Sequence, residues 1–386
     1  MKHSSGRILT THAGSLPRPP DLLGLIERDG PKAFDSDAAA QRLTAAVGEI
    51  VHKQIDLGVD VVDDGEYGKP SFVSYINERL GGYEVDTRAG PRNQWATSRE
   101  GLSFPEFYSQ THAASTHTHM ICTGPITYKG HARLKRDIDN FKAALKAVNV
   151  VEAFLPVAAP ASVIPDRKNE YYKSEEDLIR AIGAAMRTEY RMIIDAGFVL
   201  QLDDARAAVT YDRMVPPGSF EDYRKWLRLQ VEVLNEAIKG LPADRIRYHV
   251  CWGSWPGPHT TDVALKDIVD LILGMNVGAF VIEGANPRHE HEWRVWESAK
   301  LPAGKVLIPG VISHATNVVE HPELVAERIV RLAKLVGREN VLAGTDCGFA
   351  QGPFHRRVHP SIMWAKLSAL VEGARLASSE LWRKAA

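Results

Sequence analysis

Val306-Leu307-Ile308-Pro309, then Pro322-Glu323-Leu324-Val325 running on to Val336-Gly337, then Val341-Leu342-Ala343, is the stretch whose reading decides the fold. A short apolar run gives way to a polar turn, an amphipathic segment and a second short apolar run. Proline is tolerated in the first turn of a helix, and glycine stops one. Between them Leu324, Val325, Ile329, Leu332 and Val336 fall on one helical face. Strand, helix and strand in that order make a parallel βαβ unit.

The same rhythm recurs along the chain. Candidate strands are Ile8–Thr11, Val59–Asp63, Glu152–Ala158, Phe198–Leu202, Ile246–Cys251, Ala279–Glu283, Val306–Pro309 and Val341–Ala343. Eight such runs alternating with helices predict an α/β fold of the (β/α)8 TIM-barrel type, one domain over residues 1–386. Glu175-Glu176-Asp177 opens one helix with acids that suit its dipole, and Leu178, Ile182, Met186 and Ile193 form its apolar stripe. Asp262–Leu273 reads as another helix, with Val263, Ile268, Leu271 and Ile272 inward. From Gly81 to about Asp139 the rhythm breaks. This stretch is polar, holds His112, His117, His119 and His131, lacks a long helix, and reads as an insertion over the barrel mouth or as an extra hairpin. Met120–Pro125 within it rivals Glu152–Ala158 as the third barrel strand, and the latter is preferred because a clear helix follows it.

Composition narrows the function. The 386 residues carry 47 Lys plus Arg against 48 Asp plus Glu, a net charge of −1, so no charge imbalance points to nucleic acid or to an anionic membrane. At 44% hydrophobic and 25% charged the chain is neither disordered nor fibrous. No run reaches the ~18 apolar residues that span a bilayer. Met1–Arg7 lacks the apolar core of a secretory signal. The 3 cysteines are too few for a disulfide framework and suit a reducing cytoplasm, where a thiol serves as a metal ligand or nucleophile.

In such a barrel, chemistry gathers at the C-terminal ends of the strands. One strand ends Tyr248-His249-Val250-Cys251, the next Val281-Ile282-Glu283, and the last runs into Thr345-Asp346-Cys347-Gly348. His249 and Cys251 lie two apart and face the same way in a strand. Imidazole, two thiolates and a carboxylate match a tetrahedral zinc site; the plain alternative for each cysteine is a small buried hydrophobe, the reading preferred for Cys122. Thr10-Thr11-His12-Ala13-Gly14-Ser15 would offer N–H groups and a hydroxyl to a small carboxylate, or simply form a turn with Ser15 as a local cap. Asp63-Asp64-Gly65-Glu66 and Gln201-Leu202-Asp203-Asp204 cluster acids that bind an ammonium group or shuttle protons, against a solvated acidic loop as the alternative. Ser313-His314 supplies either a general acid or a surface histidine.

Taken together, Thr10-Thr11-His12-Ala13-Gly14-Ser15-Leu16-Pro17-Arg18-Pro19, Asp64-Gly65-Glu66-Tyr67, Gln201-Leu202-Asp203-Asp204, His249-Val250-Cys251, Val281-Ile282-Glu283 and Thr345-Asp346-Cys347-Gly348 resemble, in order, the catalytic barrel of cobalamin-independent methionine synthase. The resemblance covers nearly the whole chain outside the histidine-rich stretch. It implies a zinc site at His249, Cys251, Glu283 and Cys347, an amino-acid thiol site at Ser15, Glu66 and Asp203, and His314 as the acid. It also implies a zinc-dependent methyltransferase that attacks a methyl donor with a thiol such as homocysteine.

The departures are specific. The synthase has a second, N-terminal barrel-like half for which 386 residues leave no room. It follows Gly-Pro-Val-Thr with a tryptophan that stacks on folate. Here Gly124-Pro125-Ile126-Thr127 leads to His131, and Ala159-Pro160-Ala161-Ser162 leads to no tryptophan. The usual Asp-Glu-Pro is Asp203-Asp204-Ala205. Pro287–Glu292 and His355-Arg356-Arg357 look more like the single-barrel branch that includes epoxyalkane:coenzyme M transferase, which implies alkyl transfer to another thiol as the alternative. A sulfonate-bearing thiol would call for Arg288, Arg356 and Arg357. The partners expected are a small thiol and a methyl or alkyl donor (a folate, a methylated corrinoid protein, a methyl ether or an epoxide), with no nucleic acid and no membrane. A homo-oligomer is left open. Outside this chemistry stand a non-catalytic zinc-binding barrel and porphyrin decarboxylation, which needs no zinc–thiolate set.

Overall fold

The computed structural model describes residues 1–72, 74–88, 98–111, 118–146, 148–165, 167–350, 352 and 357–383. Among the described residues eleven strands occur in chain order: β1 (Leu9–Thr10), β2 (Val61–Val62), β3 (Leu80–Val85), β4 (Met120–Tyr128), β5 (Glu152–Ala158), β6 (Arg167–Asn169), β7 (Val199–Asp204), β8 (Ile246–Val250), β9 (Ala279–Ile282), β10 (Val306–Ile312) and β11 (Leu342–Thr345). Eight of them form one parallel sheet in the order β1-β11-β10-β9-β8-β7-β5-β2. The sheet closes on itself: the Asp60 N–H donates to the Thr10 carbonyl at 3.2 Å, and the Thr11 hydroxyl donates to Val61 O at 3.0 Å. This is the eight-stranded barrel expected, and every strand falls where the sequence places it.

The strands sort their side chains by alternation. Leu9, Val61, Phe154, Val199, Ala279, Val281, Val306, Ile308 and Leu342 fill the barrel interior as a cluster of their own. Ile246, Tyr248 and Val250 of β8 belong instead to the larger core beneath the helices. The alternate β8 residues are Arg247 and His249, and Cys251 follows in the same phase. Arg247 is wholly buried, its guanidinium 3.4 Å from the centre of the Phe154 ring.

Glu175–Asp195 is helical and is capped by the Ser174 hydroxyl, which accepts from Asp177 N; Leu178, Ile182, Met186 and Ile193 are all buried. Pro322–Val336 is helical and ends at Gly337, whose φ of +91° only glycine adopts readily. Two readings need correction. Leu324 is 36% exposed and lies off the stripe, because the buried face here is set by Val325, Ile329 and Leu332. The Asp262–Leu273 segment is not one helix. Leu265–Asp267 is a 3-10 turn and only Val269–Ile272 is α-helical.

The stretch from Gly81 to Asp139 is richer in structure than its composition suggests. β3 pairs antiparallel with β4, and β4 pairs in parallel with β6, in a separate three-stranded sheet. Met120–Pro125 therefore belongs to this sheet, and Glu152–Ala158 is the barrel strand. Contrary to expectation, the end of the stretch enters a 15-residue helix, His131–Leu145, with Leu134, Ile138 and Phe141 buried. Arg99–Ser103 and Pro105–Thr111 pack on loops that follow β7 and β8. Glu100 accepts from Thr260 N, the Glu100 N–H donates to Asp212, and Trp255 Nε1 donates to the Tyr108 hydroxyl. No helix among the described residues is long and apolar enough to cross a membrane.

Candidate metal centre and substrate pocket

β8 and β11 deliver the thiols. Cys251 and Cys347 are buried, with their sulfurs 3.7 Å apart. His249 reaches the same place from the end of β8. One ligand atom from each of His249, Cys251 and Cys347 lies within 4.8 Å of the others. Among the described residues these three form the group of His, Cys, Asp and Glu side chains close enough to share a metal ion. Two sulfurs each about 2.3 Å from a tetrahedral zinc ion would lie about 3.8 Å apart, so the observed separation fits. Neither ring nitrogen of the buried His249 meets a nitrogen or oxygen partner among the described residues. What the buried ring meets instead is the Cys347 sulfur, a weak hydrogen-bond partner, an environment that suits a ring held to bind a metal. The pair of thiols is polarised. Cys347 is held well below the usual thiol pKa, chiefly by its hydrogen bond to Cys251, and Cys251 is pushed up by the same bond.

Glu283, at the end of β9, is not a member of the close group. One carboxylate oxygen accepts from Trp252 N at 2.9 Å, and the other is buried with no partner among the described residues. The donor set of imidazole, two thiols and an adjacent unpaired carboxylate oxygen suits zinc. Behind Glu283 runs a buried relay within and beside the Pro287–Glu292 motif. His289 bonds Glu292 at 2.9 Å and Asp262 at 2.8 Å, and Asp262 bonds His259 at 2.9 Å. Burial pulls the His289 pKa down, but Asp262, Glu292 and Glu283 carry it up to about 10, so an imidazolium stands behind Glu283. The sequence reading did not anticipate this relay.

The structure also separates the acids at the mouth. Asp63 and Asp64 accept from Gly65 N and Glu66 N and so form the turn itself. Asp204 accepts from Arg206 N, Ala207 N and the Tyr248 hydroxyl. That leaves Glu66 and Asp203. Glu66 sits at φ +60°, a left-handed conformation uncommon outside glycine. Gly14 faces it at φ +122°, where a Cβ would come within 3.0 Å of a Glu66 carboxylate oxygen. Asp203 is buried beside Gln201, whose amide donates to it at 2.7 Å. Burial, then the charges of Glu66 and Cys347, raise its pKa to about 8, against the opposing pull of His249 and Lys69. Below this, Arg247 donates to Gln201, Thr11 and the His12 carbonyl.

Lys69 is the residue the sequence reading missed. It is buried, ion-paired to Glu66 at 3.3 Å, and bonded to the Pro156 carbonyl. Burial lowers its pKa, but Glu66, Asp64, Glu189 and Asp203 more than offset that. One Glu66 oxygen, Oε2, is thus already taken by a cation, with which a ligand ammonium would share the carboxylate. Ser15 accepts from Ala350 N at 3.2 Å and packs so tightly on Gly348 that a Cβ there would fall 2.2 Å from its hydroxyl. His314 is buried, and neither ring nitrogen has a hydrogen-bond partner among the described residues. Burial holds its pKa down at about 4, with Cys347 pulling upward and Arg357, His249 and His259 pushing further down. It is a neutral base in this state rather than a charged surface histidine.

The remaining candidates lie elsewhere. Cys122 is buried in β4 and donates to Gly124 O at 3.4 Å. Arg288 donates to Thr260 O on the exposed rim. Arg357 lies in the field of both Cys347 and Cys251. His131 opens its helix with the ring against Tyr128, and His119 precedes β4. His112, His117, His355 and Arg356 lie outside the described residues. Gly124–Thr127 is in the small sheet, so Ala159–Ser162 occupies the position after the third barrel strand. There Ser162 donates to Asp203 O.

These features define a (β/α)8 barrel with a buried cysteine–histidine centre at the catalytic end of its strands. The resemblance drawn from the motifs holds over nearly the whole chain. It is 24% identical over 378 residues to the methionine synthase of Saccharolobus solfataricus, covering 97% of this chain and 96% of that one. It is likewise 24% identical over 377 residues to that of Sulfurisphaera tokodaii, covering 97% and 94%. In fold it is similar to a B12-independent methionine synthase from Shewanella sp. W3-18-1 solved with selenomethionine (TM-score 0.73, 19% identity, covering 97% of this chain and 99% of that one). It is also similar to a putative vitamin-B12 independent methionine synthase from Listeria monocytogenes (TM-score 0.65, 20% identity, covering 98% and 100%). No family model matches the chain.

Proposed function

We propose that this protein is a zinc-dependent S-methyltransferase that methylates a small amino-acid thiol of the homocysteine type. The observation that carries the reading is the pair of buried thiols 3.7 Å apart beside a buried imidazole whose nitrogens meet no nitrogen or oxygen partner among the described residues, at the C-terminal end of the barrel strands. That the full-length relatives are named methionine synthases supports it. His249, Cys251 and Cys347 would hold the metal, with Glu283 as the fourth ligand. When bound, zinc supplies a thiolate that stays nucleophilic at neutral pH.

The rest falls to the chain's own residues. Ser15 and its neighbouring N–H groups take the acceptor's carboxylate. Glu66 and Asp203 take its ammonium group, and Lys69 keeps the mouth from accumulating uncompensated negative charge. Anchors at both ends of a small molecule orient its sulfur for in-line attack. His314, neutral and open at both nitrogens, accepts the thiol proton and returns it to the leaving group of the donor. The methyl donor is a folate, a methylated corrinoid protein or a methyl ether.

One observation favours a second reading. Lys69 already neutralises Glu66, and Arg357 lies in the field of the two thiols. That arrangement suits an anionic thiol without an amino group, alkylated by an epoxide. A thiol-by-donor screen on zinc-loaded protein, read by mass spectrometry, separates the two. Methylated homocysteine is the expected product. Turnover of mercaptoethanesulfonate with an epoxide and none of homocysteine would install the second reading, and no product with any pair would leave a non-catalytic barrel.

A further inference from the structure

The loop after β10 carries His314, and it is tied down by two buried charges from outside the pocket. Ser313 N–H donates to Glu320 Oε1 at 2.8 Å, so the loop folds back on its own far end. Glu320 Oε2 accepts from Lys366 Nζ at 2.6 Å, and the same ammonium donates to the Val318 carbonyl. Lys366 projects from the C-terminal helix, Pro360–Leu381, and its side chain is 0% exposed, with Glu320 at 9%. A second tie joins the loop to the start of that helix: Asn317 donates to Arg357 O, and His359 N–H donates to Asn317. Val318 itself, beyond the carbonyl that Lys366 holds, stands 69% exposed.

A wholly buried lysine is an expensive way to hold a loop. Replacing a buried ion pair with apolar groups is often neutral or stabilising, so the pair is weak as a device for stability alone. What it supplies is direction. Glu320 fixes the N–H of the residue immediately before His314, and Lys366 fixes Glu320. We propose that Glu320 and Lys366 are positioning residues that hold the His314 ring where it serves the proton step. This rests on the reading of His314 as the proton carrier. In that step the acceptor sulfur bonds to the donor carbon, the carbon–leaving-group bond breaks, and the proton that His314 took from the thiol passes to the leaving group.

The test uses zinc-loaded full-length protein, homocysteine and two probe electrophiles. Epoxypropane leaves an alkoxide that needs the proton His314 carries, whereas methyl iodide leaves iodide, which needs none; both rates are read at a pH where the zinc-loaded protein already holds the thiol as thiolate, so that only the first depends on His314. Glu320→Ala and Lys366→Met are expected to slow alkylation by epoxypropane about ten- to a hundredfold and to leave the methyl iodide rate and the zinc content unchanged. In a His314→Ala background Glu320→Ala should have no further effect, because both act through one ring. Glu320→Gln retains the oxygen that Ser313 needs, should recover part of the loss, and covers the case in which the alanine variant folds poorly. Equal slowing with both electrophiles, or additive losses in the double variant, would overturn the positioning role. A His314→Ala protein as fast as wild type with epoxypropane, or a wild type with no acceleration over free homocysteine, would instead remove the proton-carrier reading on which it rests.

Discussion

Replacing Lys69 with methionine isolates the least expected contact of the site. The ammonium lies 3.3 Å from Glu66, with both side chains at most 10% exposed. At an effective dielectric of about 20, unit charges at that distance attract by about 5 kcal/mol. Desolvation of both groups reduces the net worth of the pair, but removing one member leaves the other buried and uncompensated, a loss of about 3–5 kcal/mol. Lys69→Met should therefore destabilise strongly. Glu66→Gln should cost less, because Asp64, Glu189 and Asp203 still surround the ammonium. The double variant should recover part of the loss, with a coupling of about 1–3 kcal/mol. Urea unfolding of the four proteins at neutral pH measures this, provided the m-values agree. Additivity within about 0.5 kcal/mol would show that Lys69 and Glu66 do not act as a pair.

Other expectations follow from the same geometry. His12 is buried against Gln54, and burial holds its pKa down at about 4 against an ordinary 6.5. Its contribution is complete above pH 6.5 and is lost as pH falls toward 4, a loss of about 3 kcal/mol. Acid unfolding of His12→Gln should show a correspondingly shallower decline over that window, and an unchanged slope would refute it. Asp203→Asn should raise the KM for homocysteine at least tenfold, leave an amine-free thiol little affected and leave zinc bound; equal effects on both thiols would contradict an ammonium site. Calorimetry with methyltetrahydrofolate should show weak binding or none, since no tryptophan follows Ala159–Ser162, and an aromatic platform is worth about 1–3 kcal/mol per stacked ring in nucleic-acid systems. Tight binding would reverse that expectation.

The barrel was readable because strands buried on both faces appear as continuous apolar runs, and all but Glu152–Ala158 run into residues too polar for a core. The two-residue spacing of His249 and Cys251 was enough to place both on one face. The rest was hidden for physical reasons. Lys69 follows Glu66 by three residues in a turn, where no periodicity says which side chains meet. His131–Leu145 is so charged that only Leu134, Ile138 and Phe141, at helical spacing, mark its buried face. The relay of His259, Asp262, His289 and Glu292 joins two loops whose approach depends on closure of the barrel. Lys366 did leave a trace, since it occupies an inward position beside Met363, Leu367 and Leu370 on an otherwise apolar stripe. A charge at a core position is a signal to look for its partner.

In the proposed reaction Cys251 and Cys347 share with His249 a metal that takes up the acceptor's sulfur. X-ray absorption at the zinc edge, on protein loaded with one zinc per chain, tests it most directly. Two sulfur neighbours at about 2.3 Å are expected in the resting protein and three when homocysteine is added, with severe zinc loss in Cys251→Ser and Cys347→Ser. A zinc shell without sulfur, or a sulfur count unmoved by saturating thiol, would contradict it.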